Sequence, residues 1–197
     1  MLTLAFDTAT SAATAALVRD GDVLGERVSR AVRVLEDVDE LFRESGAART
    51  ELTGIVVGTG PGSFTGLRMG VAAARGLALA LEIPVAGVST LAALAAGAPG
   101  ALPVVDAGRR EVFTLRNGEP AVCAAGDIDL DPETLCVGDG AVRYRSVLEE
   151  RGARIPPDGD EQHLPRARFH AALAGEFGPA DAVEPLYLRI PDAERKA

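Results

Sequence analysis

Over the first hundred residues, short apolar runs are set off by one stretch of helical periodicity and one nearly unbroken Ala/Leu segment. Residues 2–7 predict a strand that closes in the small polar turn Asp7-Thr8-Ala9-Thr10-Ser11. Thr14 to Val18 and Val23 to Val28 predict two more strands around Arg19-Asp20-Gly21-Asp22, a hairpin signal. Ala31, Val34, Leu35, Val38, Leu41, Phe42 and Ser45 then recur at helical spacing, with acids and arginines opposite and Gly46 as the stop. Ile55 to Val57 predicts a short buried strand, about 66–82 a helix apolar almost all round, and Pro84 to Val88 another strand. Ser89 can cap a short helix over Thr90 to Ala96.

After Gly97-Ala98-Pro99-Gly100, which reads as a linker, Leu102 to Asp106 and Glu111 to Leu115 predict strands, and Asn117-Gly118 turns the chain. Residues 120–133 read as irregular. Thr134 to Val137 predicts a strand, and a helix follows from Asp139 and Gly140 to about Arg151, closed by Gly152. Residues 156–161 read as a loop, 166–177 as a helix and Leu186 to Leu188 as a strand before a polar tail. This order does not alternate as a doubly wound βαβ domain does. It predicts two related α/β lobes facing a cleft, 1–100 and a smaller 101–197 whose end packs back on the first.

A chain of 197 residues with 47% hydrophobic content has a core large enough to need no staples. No run is read as both long enough and free enough of charge to be a membrane span. The start, from Met1 to Asp7, lacks a basic leader, so the expected location is the cytoplasm and no membrane partner is expected. Cys123 and Cys136 lack CxxC spacing and suit buried thiols in a reducing compartment. The net charge of −9 repels phosphate backbones at long range, which makes the chain a poor solitary nucleic-acid binder. The short basic clusters Arg109-Arg110, Arg143 with Arg145, and Arg166 with Arg168 read as solvated surface.

The densest chemistry lies in Gly60-Pro61-Gly62-Ser63-Phe64-Thr65-Gly66-Leu67-Arg68, a strand-to-helix turn. Such a turn can aim bare amides at an anion beside a helix N-terminus. It serves equally as a rigid elbow seating the helix on the sheet. It satisfies neither the dinucleotide fingerprint nor the hydrolase elbow, and the chain's sole lysine, Lys196, leaves no P-loop. The histidines, His163 and His170, stand seven apart with Pro165 between them, a poor basis for a metal site or a Ser-His-Asp triad.

Five blocks in order resemble the bacterial TsaB (YeaZ) family: Leu4 to Thr10, Gly58 to Arg68, Gly87 to Leu91, Asp106-Ala107 with Glu111-Val112-Phe113, and Glu184 to Arg189. The resemblance implies an actin/Hsp70-like (ASKHA) fold of two ribonuclease H-like lobes, the second one shortened. It implies a non-catalytic scaffold in making threonylcarbamoyladenosine in tRNA, with a catalytic TsaD homologue as partner and the ATPase TsaE recruited by the pair. Homodimers are expected when the partner is missing, and tRNA contact is expected mainly through the other subunits. Catalytic relatives hold a metal through an HxxxH pair, which this chain lacks, so no metal site and no peptidase are expected.

By analogy with actin-like folds, Asp7, Thr8, Thr10, Ser11 and Asp106 stand where phosphates or magnesium approach. ATP or ADP with magnesium, at the partner interface, is therefore a candidate cofactor, and an ATP-binding or ATP-hydrolysing enzyme is the alternative reading. Asp and Thr at such places also simply cap turns. The expected partner interface is built from Val34, Leu35, Val38, Leu41 and Phe42 of the first helix with Gly66, Gly70, Ala73 and Ala74 of the second. Gly60, Pro61, Gly62 and Gly66 set the turn between strand and helix. The chain departs from the family at Gly108, where an arginine is usual, in having no histidine over residues 1–162, and in a trimmed second lobe.

Overall fold

The computed structural model describes residues 1–188; Arg189, Lys196 and the tail expected after residue 188 lie outside the described residues. Strands β1 (Leu2–Asp7), β2 (Ala13–Arg19), β3 (Asp22–Ser29), β4 (Leu52–Gly60) and β5 (Val85–Ser89) form one sheet in the order β3-β2-β1-β4-β5. The first three are antiparallel neighbours, whereas β4 and β5 run parallel to β1. Alternation along the strands sends their side chains to opposite faces. Leu2, Leu4, Phe6, Ile55 and Val57 meet helices α1 (Val34–Ser45) and α2 (Phe64–Leu81) on one face. Ala5, Ala16, Val56 and Ala86 form a flatter opposite face, against which Ala167 packs.

Helix α3 (Thr90–Gly97) joins this sheet to the rest of the chain, its Leu91 and Leu94 packing on Val105 and Phe113. Beyond it come β6 (Leu102–Pro103), β7 (Val105–Gly108), β8 (Glu111–Arg116) and β9 (Glu119–Ala124). Next are β10 (Cys136–Val137), α4 (Asp139–Arg143) and α5 (Arg145–Glu149). Strands β7-β8-β9 form an antiparallel meander, and β10 pairs with β6. Around them Val104, Val112, Ile128, Cys136 and Leu148 make a separate small core. Helix α6 (Ala167–Leu173) then returns to the first sheet and lies on the small-residue face of β1 and β2.

Several expectations are corrected by the structure. Residues 119–124 are a strand, because the two-residue Asn117-Gly118 loop brings them back onto β8 in register. The helix expected over 139–151 is two short helices parted at Tyr144, whose φ is −108° and ψ 25°. Helix α6 stops at Leu173, where Ala174 turns extended. At 186–188 there is no strand; the Leu186 amide donates to the Thr59 carbonyl at 2.8 Å. A 3₁₀ turn, Ala31–Arg33, precedes α1. By length and composition α2 is apolar enough to cross a bilayer, contrary to the sequence reading, yet it carries Arg68 and Arg75 and packs one side on the sheet.

Three hairpins of the fold have two-residue loops with positive φ at both positions: Asp20-Gly21 (50°, 93°), Arg109-Arg110 (57°, 65°) and Asn117-Gly118 (53°, 82°). The sense of strand twist demands this left-handed pair, which glycine, Asn and Asp adopt most cheaply.

The arginines expected on solvated surface are largely structural. Glu26 of β3, its side chain 5% exposed, accepts from Arg166 Nη2 at 2.6 Å and from Arg168 Nη1 at 2.8 Å. It also takes the Arg168 backbone amide at 3.0 Å, which fixes the start of α6 to β3. Arg145 likewise bonds Asp158, Glu149 and two carbonyls, and Arg143 pairs with Asp106. Glu26→Ala removes the acceptor shared by two half-buried guanidinium groups. It is expected to cost about 2–3 kcal/mol, read as a calorimetric midpoint roughly 4–12 °C lower, with Glu26→Gln losing less.

Candidate functional site: the Asp7 hub, the cleft and the exposed side of α2

Asp7 ends β1 on the face that α6 covers, and its side chain is wholly buried. Its Oδ1 accepts the Ala9 amide at 2.6 Å; its Oδ2 accepts the Thr90 hydroxyl at 2.7 Å. His170 Nε2 lies 2.8 Å from the same Oδ2 and is closed off from water, although the geometry is not that of a straight hydrogen bond. Burial pushes the Asp7 carboxyl up, but His170, the Thr90 hydroxyl and the Ala9 amide outweigh it and hold the group below its ordinary value. One carboxylate thus joins β1, α3 and α6. Local sequence gave no sign of His170 in this role, since it sits among Ala167, Ala171 and Ala174 on an ordinary helix face.

Thr8 and Ala9 are the seat of the glycine turn. The Ser63 amide donates to the Ala9 carbonyl at 2.7 Å, and the Thr8 hydroxyl donates to the Gly66 carbonyl at 2.7 Å. Ser63 caps α2 by accepting the Gly66 amide. A Cβ on Gly62 would stand 2.2 Å from the Ala9 carbonyl oxygen, and one on Gly66 2.0 Å from that of Thr8. At these two positions close backbone approach requires glycine. Gly60 and Pro61, joined by a cis peptide bond, lead the chain into this contact. The amides of Ser63 and Gly66 are thereby committed to protein acceptors.

The five residues suggested for phosphate or magnesium contact divide into two groups. Asp7 and Thr8 lie in the interior just described. Thr10, Ser11 and Asp106 instead line a cleft of about 310 Å³, together with Asp139, Arg143 and Asp158. Asp139 bridges its walls by accepting the Ser11 amide at 3.1 Å and the Asp106 amide at 3.0 Å. Asp106 accepts from Arg143 at 2.6 Å, the Tyr144 hydroxyl at 3.0 Å and the Gly108 amide at 2.9 Å. With both Asp7 oxygens engaged and the cleft's carboxylates bonded to protein donors, these residues do not fit a magnesium–nucleotide bound through Asp7. Among the described residues, no group of three or more His, Cys, Asp or Glu is placed to hold a metal. Buried His163 accepts the Gly138 amide at its Nδ1, 3.1 Å away, and its Nε2 lies 3.2 Å from the Pro156 carbonyl. Cys123 and Cys136 are free thiols, and burial pushes Cys136 up to about 11.

The residues suggested for a partner interface also separate. Val34, Leu41, Phe42, Gly66, Gly70 and Ala74 face inward, Gly70 directly against the Thr8 hydroxyl. Val38 and Ala73 are half-buried, and Leu35 is 54% exposed. The outward side of α2 carries Thr65, Ala72, Gly76 and Leu79, a narrow ridge of mostly small residues whose Leu79 is 75% exposed. Val32, 74% exposed, extends this apolar surface from the turn before α1. Along the flank of α2, Arg75 grips the Val183 carbonyl and Arg68 reaches the Tyr187 hydroxyl, with Phe64 and Tyr187 in ring contact at 5.1 Å.

A twisted five-stranded sheet in this order, helices on both faces and a cleft against a smaller α/β unit define an actin/Hsp70-like (ASKHA) protein, and solved structures share that fold. Residues 10–135 match the family model of TsaD, tRNA N6-adenosine threonylcarbamoyltransferase. The chain is 34% identical over 221 residues to the tRNA threonylcarbamoyladenosine biosynthesis protein TsaB of Escherichia coli, covering 96% of this chain and 95% of that protein. It is 39% identical over 205 residues to a protein of Mycobacterium tuberculosis, covering 97% and 93%. The solved structure of YeaZ from Pseudomonas aeruginosa superposes with a TM-score of 0.77 at 31% identity, over 95% of this chain and 99% of that one. The chain belongs to the TsaB (YeaZ) family.

Removing one partner of the Asp7–His170 pair strands the other inside the protein. Asp7→Ala is expected to cost about 3–5 kcal/mol, measured by urea unfolding. The depressed Asp7 value adds stability that is present above the unfolded carboxyl value, near 3.9, and is lost as pH falls through the folded one. The stability gap between wild type and Asp7→Asn should therefore narrow below about pH 4, by at most about 1.4 kcal/mol per pH unit. A gap constant from pH 6 to pH 2 would refute the lowered Asp7 value.

Proposed function

We propose that this chain is a non-catalytic scaffold in tRNA threonylcarbamoyladenosine biosynthesis, pairing with a TsaD homologue and helping to recruit a TsaE homologue. The observation that carries this reading is near-full-length similarity to a protein named TsaB, in a chain whose Asp7 is occupied by His170. The threonylcarbamoyl transfer takes place on the partner, which also makes most of the tRNA contact. The pairing surface is the outward ridge of α2 (Thr65, Ala72, Gly76, Leu79) with Val32 and Leu35, edged by Val38 and Ala73. Small residues on that ridge admit close approach of another helix, and the large apolar ones supply area to bury.

The chain itself matches the TsaD family model, so partner and scaffold carry related helix pairs, and a second copy can take the partner's place as a homodimer. In this reading residues 1–100 and 101–197 are two lobes, α6 returns to the first, and the assembly works in the cytoplasm. Any ATP or ADP with magnesium sits at the partner interface rather than on Asp7. The alternative, an ATP-binding or ATP-hydrolysing enzyme, is disfavoured by the same engagement of Asp7.

Co-expression with the TsaD homologue of the same organism, followed by size-exclusion chromatography with light scattering, is expected to give a stable complex. Gly76→Arg or Ala72→Arg, on the exposed ridge, should weaken pairing by about 2 kcal/mol or more while leaving the melting midpoint unchanged. Pairing that survives both substitutions would refute this surface. Gly70→Arg would not test it, because Gly70 faces Thr8 and the variant is expected to misfold.

A further inference from the structure

One carboxylate of the cleft is met differently from its neighbours. Asp106 is bonded by the side chains of Arg143 and Tyr144, and Asp158 by that of Arg145. Asp139 takes backbone amides instead, one from each wall: Ser11 donates to its Oδ2 at 3.1 Å and Asp106 to its Oδ1 at 3.0 Å. Ser11 belongs to the loop after β1, 128 positions before Asp139, whereas the Asp106 amide belongs to β7. The backbone that carries Asp139 is itself clamped on both sides. The Gly138 amide is held by His163 Nδ1 and the Gly140 amide by the Val104 carbonyl, each at 3.1 Å. Gly138 lies so close that a Cβ on it would stand 2.2 Å from the same Val104 oxygen. The carboxylate is therefore presented to the cleft from a fixed seat.

Two backbone amides that converge from separate segments on one carboxylate form the pattern by which proteins hold a small oxyanion. Here the anion is part of the chain. We infer that Asp139 fills an oxyanion site made by the Ser11 and Asp106 amides, and that it latches the two walls of the cleft together. An ionised acceptor suits this task, because it bonds a backbone N–H roughly twice as strongly as a neutral one. The neighbouring acids do not spoil the site, since Arg143 and Arg145 balance Asp106 and Asp158. With the side chain cut back to alanine, the same two amides would hold a free carboxylate of matching size. Formate supplies the carboxylate group that this substitution removes.

The test is amide hydrogen exchange, resolved by NMR at Ser11 and Asp106 in the full-length chain, with melting midpoints measured in parallel. It needs no partner, so it stands or falls separately from the pairing reading. In wild type both amides are expected to be protected. In Asp139→Ala both should exchange about tenfold faster or more, as befits the loss of a bond to a charged acceptor. Formate, compared with chloride at equal ionic strength, should restore that protection saturably and raise the midpoint of Asp139→Ala but not of wild type. Asp139→Asn, which keeps the shape and one oxygen, should fall between the two and carries the comparison if the alanine variant does not fold. Wild-type amides that exchange as freely as those of an open loop would overturn the proposal. So would a folded variant that exchanges like wild type, or an Asp139→Ala protein that formate leaves unchanged.

Discussion

The buried Asp7–His170 pair is the constraint on which the arrangement of the first sheet depends. A carboxylate sealed from water is tolerated only when its oxygens are met by donors or by opposite charge. Asp7 meets that condition with the Ala9 amide, the Thr90 hydroxyl and the His170 ring, which come from the loop after β1, from α3 and from α6. Moving any of these elements would leave a charge without a partner in the interior. The small residues beneath α6, Ala5, Ala16 and Ala86, permit the close approach that the pair requires. Glu26 secures the other end of the same helix through Arg166 and Arg168.

The second constraint is steric. Loop 60–66 rests on Thr8 and Ala9 so closely that the turn and the first strand fix each other. That contact sets the rotation of α2, deciding which of its small residues face the sheet and which face outward. At the end of β1 the polar side chains are engaged by protein: Asp7 by a histidine and Thr8 by a helix carbonyl.

Local features were legible from the residues wherever the information is itself local. The Asp20-Gly21 and Asn117-Gly118 loops, the Ser89 cap and the alternation of strand and helix through residue 96 all depend on near neighbours. The family blocks added the overall fold. What could not be read depends on distance. Periodicity shows that α2 has small residues at helical spacing but not its phase, so Gly70 and Ala74 were grouped with an interface although they face inward. Arg166 and Arg168 looked like surface because their acceptor, Glu26, lies across the fold. The strand at 119–124 is hard to read because Pro120 and the small residues around Val122 show no clear alternation, and only pairing with β8 reveals it.

These distances also bear on the order in which the molecule can be completed. Glu26 and Arg168 stand 142 positions apart in the chain, yet they close one contact. Domains commonly begin folding as they leave the ribosome, N-terminal parts first. The five strands of the first sheet are all made by residue 89, but the segment that meets Asp7 and Glu26 is not. Until residues 166–170 have been made, a nascent chain has neither the arginines that meet Glu26 nor the histidine that meets Asp7.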